Sequence, residues 1–193
     1  SMNVLKHVDS NINNLISDLQ TLIRQPSVSA KNEGIEECAK LLKKLLKKSG
    51  LKSEILRLKK GVAPIVYGEI KSKQNSTKTL MFYNHYDVQP AEPFDLWDDP
   101  PFSGTRKGNK IFGRGATDDK GELITRIKAV EACLKTTGDV PCNIKFVIEG
   151  EEETGSAHIE NYLKKYRKKF SCDGVIWEFG YVDAKNRPII GLG

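Results

Sequence analysis

Residues 79–87 read TLMFYNHYD, and this stretch contains both a strand that decides the fold and the first reactive group of a candidate site. The apolar run over 79–83 predicts a strand that is buried on both faces, as is common in α/β sheets. His85 and Asp87 follow it closely. Two positions apart in extended chain, their side chains point to the same side, so Asp87 can orient the imidazole of His85. A lone histidine after a strand is more often a packed core residue than a ligand. The acidic segments elsewhere in the chain therefore determine which interpretation of His85 is favoured.

Helical and strand patterns alternate on either side of this stretch. Apolar residues at helical spacing predict helices over 12–23, 35–48, 120–135 and 156–168. Short apolar runs predict further strands over 52–58, 65–70, 143–148 and 174–177, and a long loop covers 88–108. This alternation predicts an α/β protein, a three-layer α/β/α sandwich around a mixed, mostly parallel central sheet, with its chemistry at the strand ends.

A second acidic segment, GRGATDDKG, occupies residues 113–121. Gly113 and Gly115 allow a tight turn before Asp118. The pattern is similar to a dinucleotide-binding fingerprint, but Asp118 stands where the third glycine is needed, and a carboxylate there would repel a pyrophosphate. Asp118 is instead the best candidate in the chain for a carboxylate that bridges two metal ions.

The third segment, EGEEETGS, occupies residues 149–156 after the predicted strand 143–148. One of its glutamates could bind a metal ion while its neighbour takes a proton from an attacking water. Taken alone, the segment could equally be a solvated acidic loop or the first turn of a helix, where carboxylates favour the dipole. With the other two segments it gives one imidazole and at least five carboxylates, which cannot share a partly desolvated site without a counter-charge. A pair of divalent metal ions is the simplest one, and it indicates a two-metal hydrolase.

The composition excludes several other classes of protein. The formal net charge of +6 comes from lysines, many of them on the helix 35–48, where they alternate with a leucine stripe that faces the core. This pattern is typical of a solvated helix face rather than a nucleic-acid module, with membrane-surface binding as a minor alternative. The sequence contains neither an apolar stretch of transmembrane length nor a signal-peptide core, so no membrane partner is expected. The four cysteines form no C-x-x-C pair, which suggests reduced thiols and a cytoplasmic location.

The three segments, in this order, resemble the co-catalytic metallopeptidase family of carnosinases, cytosolic non-specific dipeptidases, carboxypeptidase G, aminoacylase and succinyl-diaminopimelate desuccinylase. The resemblance covers the chain from about residue 10 onward. The stretches YNHYDVQP at 83–90 and WDDPPF at 97–102 are most similar to the dipeptidase and carnosinase branch.

The resemblance implies a role for each site residue. His85 becomes a ligand of one metal ion and Asp87 its orienting partner. Asp118 becomes the bridging carboxylate, and its peptide bond to Asp119 is expected to be cis. Both metal ions are expected to be zinc, with manganese or cobalt as alternatives.

The glutamates are assigned in the same way, again by resemblance. Glu152 matches the general base, Glu153 a ligand of the second ion, and Glu151 is left as a neighbour. Glu178 matches the next acidic ligand, although many dipeptidase-like members have aspartate there.

The resemblance further implies a function and a domain organisation. We expect hydrolysis of the amide bond of dipeptides or short peptides. The alternative activity is hydrolysis of N-acyl amino acids at the same metal site. A competing hypothesis is a non-catalytic metal-binding protein that retains the scaffold. Residues 1–193 are expected to be the N-terminal portion of a catalytic domain that lacks its C-terminal part and a lid and dimerisation domain. The intact protein would be a homodimer. The chain alone would be nearly inactive, because neither His7 nor His158 matches the last histidine ligand.

Overall fold

A computed structural model describes residues 3–75, 78–178 and 180–191 of the chain. Within these ranges the helices are α1 Val4–Ser10, α2 Ile12–Arg24, α3 Ile35–Lys48, α4 Lys120–Thr137 and α5 Ile159–Lys165. The strands are β1 Lys52–Leu56, β2 Ile65–Ile70, β3 Thr79–His85, β4 Thr105–Lys107, β5 Lys110–Phe112, β6 Asn143–Glu149, β7 Gly174–Ile176, β8 Tyr181–Val182 and β9 Pro188–Ile189.

The central sheet has the strand order β1-β2-β6-β3-β7. The strand of the opening stretch, β3, lies between β6 and β7 and runs parallel to both. β2 is antiparallel to its neighbours β1 and β6. It follows that β1, β3, β6 and β7 share one direction and only β2 opposes them, which confirms the predicted mixed, mostly parallel sheet.

Helices cover both faces of this sheet, as predicted for three layers. Side chains along each strand alternate between the faces. Phe146 of β6 lies in the larger core with residues of α2, α3 and α4, whereas the next residue, Val147, lies in a smaller cluster with Tyr162 of α5. The larger core also holds the buried α3 stripe of Leu42, Leu45 and Leu46. The lysines of α3 are exposed, so the predicted division of this helix into a buried and a solvated face is confirmed.

The structure differs from the sequence-based expectations at three places. The last part of the predicted loop 88–108 is instead β4, the first strand of the β4–β5 hairpin, which the sequence pattern did not reveal because these strands are only three residues long. The predicted helix 156–168 is shorter, since Gly155 and Ser156 have positive φ angles of 93° and 50° and α5 begins after them at Ile159. The helix α1 was not predicted; Asn3 caps it by accepting a hydrogen bond from the Lys6 N–H at 2.8 Å.

Two further observations concern the cysteines and the helices. All four cysteines are free thiols, and Cys38 is buried. None of the helices within the described ranges combines the length and the apolar character needed to cross a bilayer.

Candidate metal centre

The site begins at the carboxyl ends of two adjacent parallel strands. His85 is the last residue of β3, and it pairs in register with Glu149, the last residue of β6. Parallel neighbours end at the same edge of a sheet, so the segment that carries Asp87 and the segment of consecutive glutamates leave the sheet side by side. Two of the three chemical segments are thus brought together by strand pairing.

Carboxylates surround the ring of His85, whose side chain is 1% exposed. Its Nε2 atom lies 2.9 Å from Asp118 Oδ1, 3.1 Å from Glu178 Oε2 and 3.6 Å from Glu152 Oε2. On the other side of the ring, Nδ1 lies 2.9 Å from the backbone oxygen of Asp87 and 3.3 Å from its Oδ1 atom. The ring is therefore held from one side by Asp87 and faces three carboxylates on the other.

Asp87 has a second contact that sequence reasoning missed. Its carboxylate is buried and accepts the backbone N–H of Glu152 at 3.1 Å on Oδ1 and that of Glu153 at 3.0 Å on Oδ2. These two residues open the short 3-10 turn Glu152–Thr154. One carboxylate thus fixes both the imidazole and the backbone of the two glutamates.

The second acidic segment joins the site through its two aspartates. The Asp118-Asp119 peptide bond is cis, as expected. The Asp118 side chain is 69% exposed at the open side of the cluster. Asp119 is buried and accepts hydrogen bonds on Oδ2 from Asn84 Nδ2 at 2.8 Å and from the His85 N–H at 3.1 Å. No role was predicted for Asp119 from the sequence, although its position beside Asp118 was a signal.

The two glycines of this segment serve different purposes. Gly115 has a φ angle of +85°, which a side chain rarely adopts, so the predicted turn is confirmed there. Gly113 lacks a positive φ angle, but a Cβ atom at Gly113 would lie 2.6 Å from Ile23 Cγ2. Gly113 is therefore required by the close approach of α2 rather than by its own backbone angles.

The remaining glutamates are held by residues that the sequence did not indicate. Gln89 Nε2 donates to Glu153 Oε2 at 2.8 Å. Glu151 points away from the site: its carboxylate contacts His158 Nδ1 at 2.8 Å and accepts the Ala63 N–H at 3.2 Å. Glu151 therefore braces the loop rather than joining the cluster.

Glu178 reaches His85 from the segment after β7. The neighbouring Trp177 ring stacks on the Tyr83 ring, with centroids 4.0 Å apart and planes inclined by 19°. Arg126 of α4 donates to the backbone oxygen of Trp177. The Glu178 side chain is only 12% exposed.

The pKa values show that this cluster is short of positive charge. Burial raises the pKa of Glu178 to about 7 against the opposing effect of His85, with Glu152 and Asp118 adding to the rise. Burial also raises the pKa of Asp119 to about 7 and raises that of Glu153. Burial lowers the pKa of His85, but the carboxylates of Asp87, Asp119 and Glu178 outweigh it and raise the value to about 10. A cation placed among these groups would stabilise their ionised forms.

The residues fit a site for divalent metal ions. Among the described residues, two sets have ligand atoms that all lie within 4.8 Å of one another: His85 with Glu152 and Glu153, and His85 with Asp119 and Glu178. Glu178 Oε2 is buried and, although it lies 3.1 Å from His85 Nε2, it accepts no hydrogen bond of acceptable geometry within the described ranges. A buried carboxylate oxygen without a donor is costly, and a metal ion between it and the imidazole would remove that cost.

Comparisons with known proteins agree with this site. Residues 81–190, more than half of the chain, match the family described as Peptidase family M20/M25/M40. The chain belongs to this peptidase family. The match includes all three acidic segments and extends past Glu178. The family assignment confirms the resemblance seen in the sequence.

Two of the similar proteins are dipeptidases, in agreement with the dipeptidase and carnosinase branch indicated by the sequence. The chain is 43% identical over 135 residues to a Beta-Ala-His dipeptidase of Homo sapiens, covering 68% of the chain and 26% of that protein. It is 40% identical over 134 residues to a Cys-Gly metallodipeptidase of Schizosaccharomyces pombe, covering 67% of the chain and 28% of the relative. Among solved structures, an M20 family metallo-carboxypeptidase of Sulfolobus solfataricus superposes with a TM-score of 0.83 at 41% identity, covering 90% of this chain and 39% of the other. The chain thus spans about a quarter of the length of these curated relatives.

Proposed function

We propose that this chain carries the metal centre of a hydrolase that cleaves the amide bond of dipeptides or short peptides. One observation carries the proposal: His85 Nε2 faces Asp118, Glu178 and Glu152 within 3.6 Å at the carboxyl end of a parallel strand pair. Membership of a peptidase family supports it, as do relatives named for dipeptide hydrolysis.

In this proposal the cluster holds two divalent ions. His85, Asp118 and Glu178 would hold the first, and Asp118 would share the second with Glu153. Zinc is the first candidate, because imidazole and carboxylate ligands suit it, and manganese or cobalt are the alternatives. Bound ions of this kind lower the pKa of water and polarise a carbonyl oxygen.

The chain's own residues would handle the proton. The Glu152 carboxylate would take a proton from the attacking water and return it to the leaving amine. Asp87 would keep Glu152 in place, because its Oδ1 atom accepts the Glu152 N–H at 3.1 Å. Asp87 would also hold the ring of His85 so that its Nε2 atom faces the carboxylates of the centre.

Turnover by a Glu152→Gln variant tests the general base. Dipeptides such as β-Ala-His and Cys-Gly would be assayed on the intact protein, with bound metal measured in the same samples. We expect turnover to fall by about 10²- to 10⁴-fold, the usual contribution of a general base, while metal content is retained. Glu151→Gln is the matched control, since Glu151 contacts His158 and Ala63 instead of the cluster, and it should keep turnover within a few fold. Unchanged turnover in Glu152→Gln would remove Glu152 from the mechanism.

The sequence-based alternative, an amidohydrolase of N-acyl amino acids, would use the same centre and differ only in substrate. N-acetyl and N-succinyl amino acids therefore form the second arm of the assay, and preferred turnover of that arm would replace the dipeptidase assignment. A cytoplasmic location and a homodimer formed by a further domain belong to the same proposal. Cell fractionation and light scattering on the intact protein test them.

A further inference from the structure

Arg126 connects two parts of the candidate centre that are distant in sequence. Its side chain, 12% exposed, extends from α4 to the carboxyl end of β3. Nη1 donates to the Tyr83 backbone oxygen at 2.9 Å and to Asn84 Oδ1 at 3.0 Å. Nη2 donates to Glu122 Oε2 at 3.3 Å and to the Trp177 backbone oxygen. A planar guanidinium with several fixed donors can bind all these acceptors in one geometry, which an ammonium cannot.

One branch of these contacts leads to Glu178. β7 pairs with β3 only as far as Ile176 opposite Phe82, so the backbone of Trp177 lies beyond the sheet ladder. The hydrogen bond from Arg126 and the stacking of Trp177 on Tyr83 hold it there. The next residue is Glu178, whose Oε2 atom lies 3.1 Å from His85 Nε2. Arg126 is therefore placed to hold the segment that carries this carboxylate.

The other branch leads to the backbone of His85. Since the Asn84 Oδ1 atom accepts from Arg126, the amide turns its Nδ2 atom toward Asp119, to which it donates at 2.8 Å. Asp119 Oδ2 also accepts the His85 N–H at 3.1 Å. Arg126 thus orders the partners of His85 as well as the segment of Glu178.

The turn that carries Glu152 and Glu153 is held by contacts that do not involve Arg126. The backbone N–H groups of Glu152 and Glu153 are bound by Asp87, and the Glu153 carboxylate is bound by Gln89. We propose that Arg126 is a positioning residue for the part of the centre formed by His85 and Glu178, and that Gln89 serves only the part formed by Glu153. This inference rests on the proposed metal centre and adds the residue that sets the geometry of one half of it.

Hydrogen–deuterium exchange on the ion-free chain gives the first test, which does not depend on metal binding. Arg126→Met keeps a long side chain but removes every donor, and Arg126→Lys keeps the charge without the fork. We expect Arg126→Met to speed exchange in peptides that cover 174–178 and to leave those that cover 150–156 unchanged, with Arg126→Lys between it and the wild type. Unchanged exchange over 174–178 would overturn the inference. So would faster exchange throughout the chain, because Arg126 would then be a general stability residue.

Zinc titration with a competing chelator gives the second test and compares Arg126→Met with Gln89→Met. Removing the partner of a metal ligand typically weakens binding about 10- to 100-fold. Arg126 acts on the ligands through Asn84 and Trp177, so we expect a loss at the lower end of this range, about tenfold, for the first zinc ion in Arg126→Met. For the same ion we expect a loss of less than about threefold in Gln89→Met. Equal affinities in Arg126→Met and wild type would overturn the inference. A wild-type chain that binds no zinc would instead count against the proposed metal centre, while the exchange result would still decide the role of Arg126.

Discussion

Replacing Asp87 by asparagine should destabilise the ion-free chain and loosen the glutamate turn. The Asp87 carboxylate is fully buried and accepts two backbone N–H groups, those of Glu152 and Glu153, one on each oxygen. A hydrogen bond to a charged group contributes about 1.5–3 kcal/mol. Asparagine can accept only one of the two and turns its NH₂ group toward the other donor. His85, with a pKa raised to about 10, also loses its anionic partner.

We therefore expect Asp87→Asn to lower the free energy of unfolding by about 2.5–6 kcal/mol, the loss of one charged hydrogen bond plus the cost of an unpaired buried donor, about 1–3 kcal/mol. Urea denaturation followed by circular dichroism, in the presence of a chelator, measures this quantity. Asp9→Asn on the exposed surface of α1 is the matched control and should stay within about 0.5 kcal/mol of wild type. If Asp87→Asn unfolds at the wild-type urea concentration, Asp87 is not the residue that holds the turn.

Three further predictions concern the core, a surface ion pair and metal binding. Leu46→Ala should lower the free energy of unfolding by about 3–5 kcal/mol, since Leu46 is fully buried against Gly68. Leu5→Ala, at an exposed site, is the control and should have little effect. A loss below about 1 kcal/mol for Leu46→Ala would contradict the packing. Glu36 accepts two hydrogen bonds from Arg57, at 2.7 and 2.9 Å, and these hold the pKa of Glu36 below its usual value of 4.5. The pair therefore stabilises the fold above pH 4.5. Its contribution disappears as the pH falls through the lowered pKa. Glu36→Gln should therefore cost about 0.5 kcal/mol at pH 7, because both partners are largely exposed, and the difference in urea midpoint from wild type should vanish in acid; a constant difference would refute this. Manganese at 100 times its dissociation constant should stabilise the chain against thermal unfolding by about 2.7 kcal/mol, and a chelator should reverse this effect. The His85→Ala variant should lose most of this stabilisation. Equal stabilisation of the variant would place the ion elsewhere.

The structure explains which residues of the proposed centre could be predicted from the sequence. His85, Asp118, Glu152 and Glu153 stand out because each lies in a short segment of unusual acidic or histidine content that follows, or lies close to, an apolar run, whereas Glu178 was assigned only by family resemblance. Gln89 and Arg126 do not stand out, since a single glutamine in a loop and a single arginine on a helix are ordinary surface residues in any sequence. Their importance comes from the acceptors that surround them in space, Glu153 in one case and the Asn84 and Trp177 oxygens in the other.

Local sequence patterns were sufficient to predict the longer helices and strands and most chemical groups of the proposed centre. Helix periodicity and apolar runs depend on neighbouring residues only, so α2, α3, α4, β2, β3 and β6 were predicted close to their observed bounds. Two features became evident only in three dimensions: β3 and β6 are parallel neighbours with His85 opposite Glu149, and Glu178 returns to the same imidazole ring. Strand order and register minimise the exposed apolar surface of the whole sheet, and that sum over distant residues cannot be calculated from any one segment. The same reason explains why Asp87 could be predicted as the partner of His85, two residues away, but not as the acceptor that fixes both glutamates.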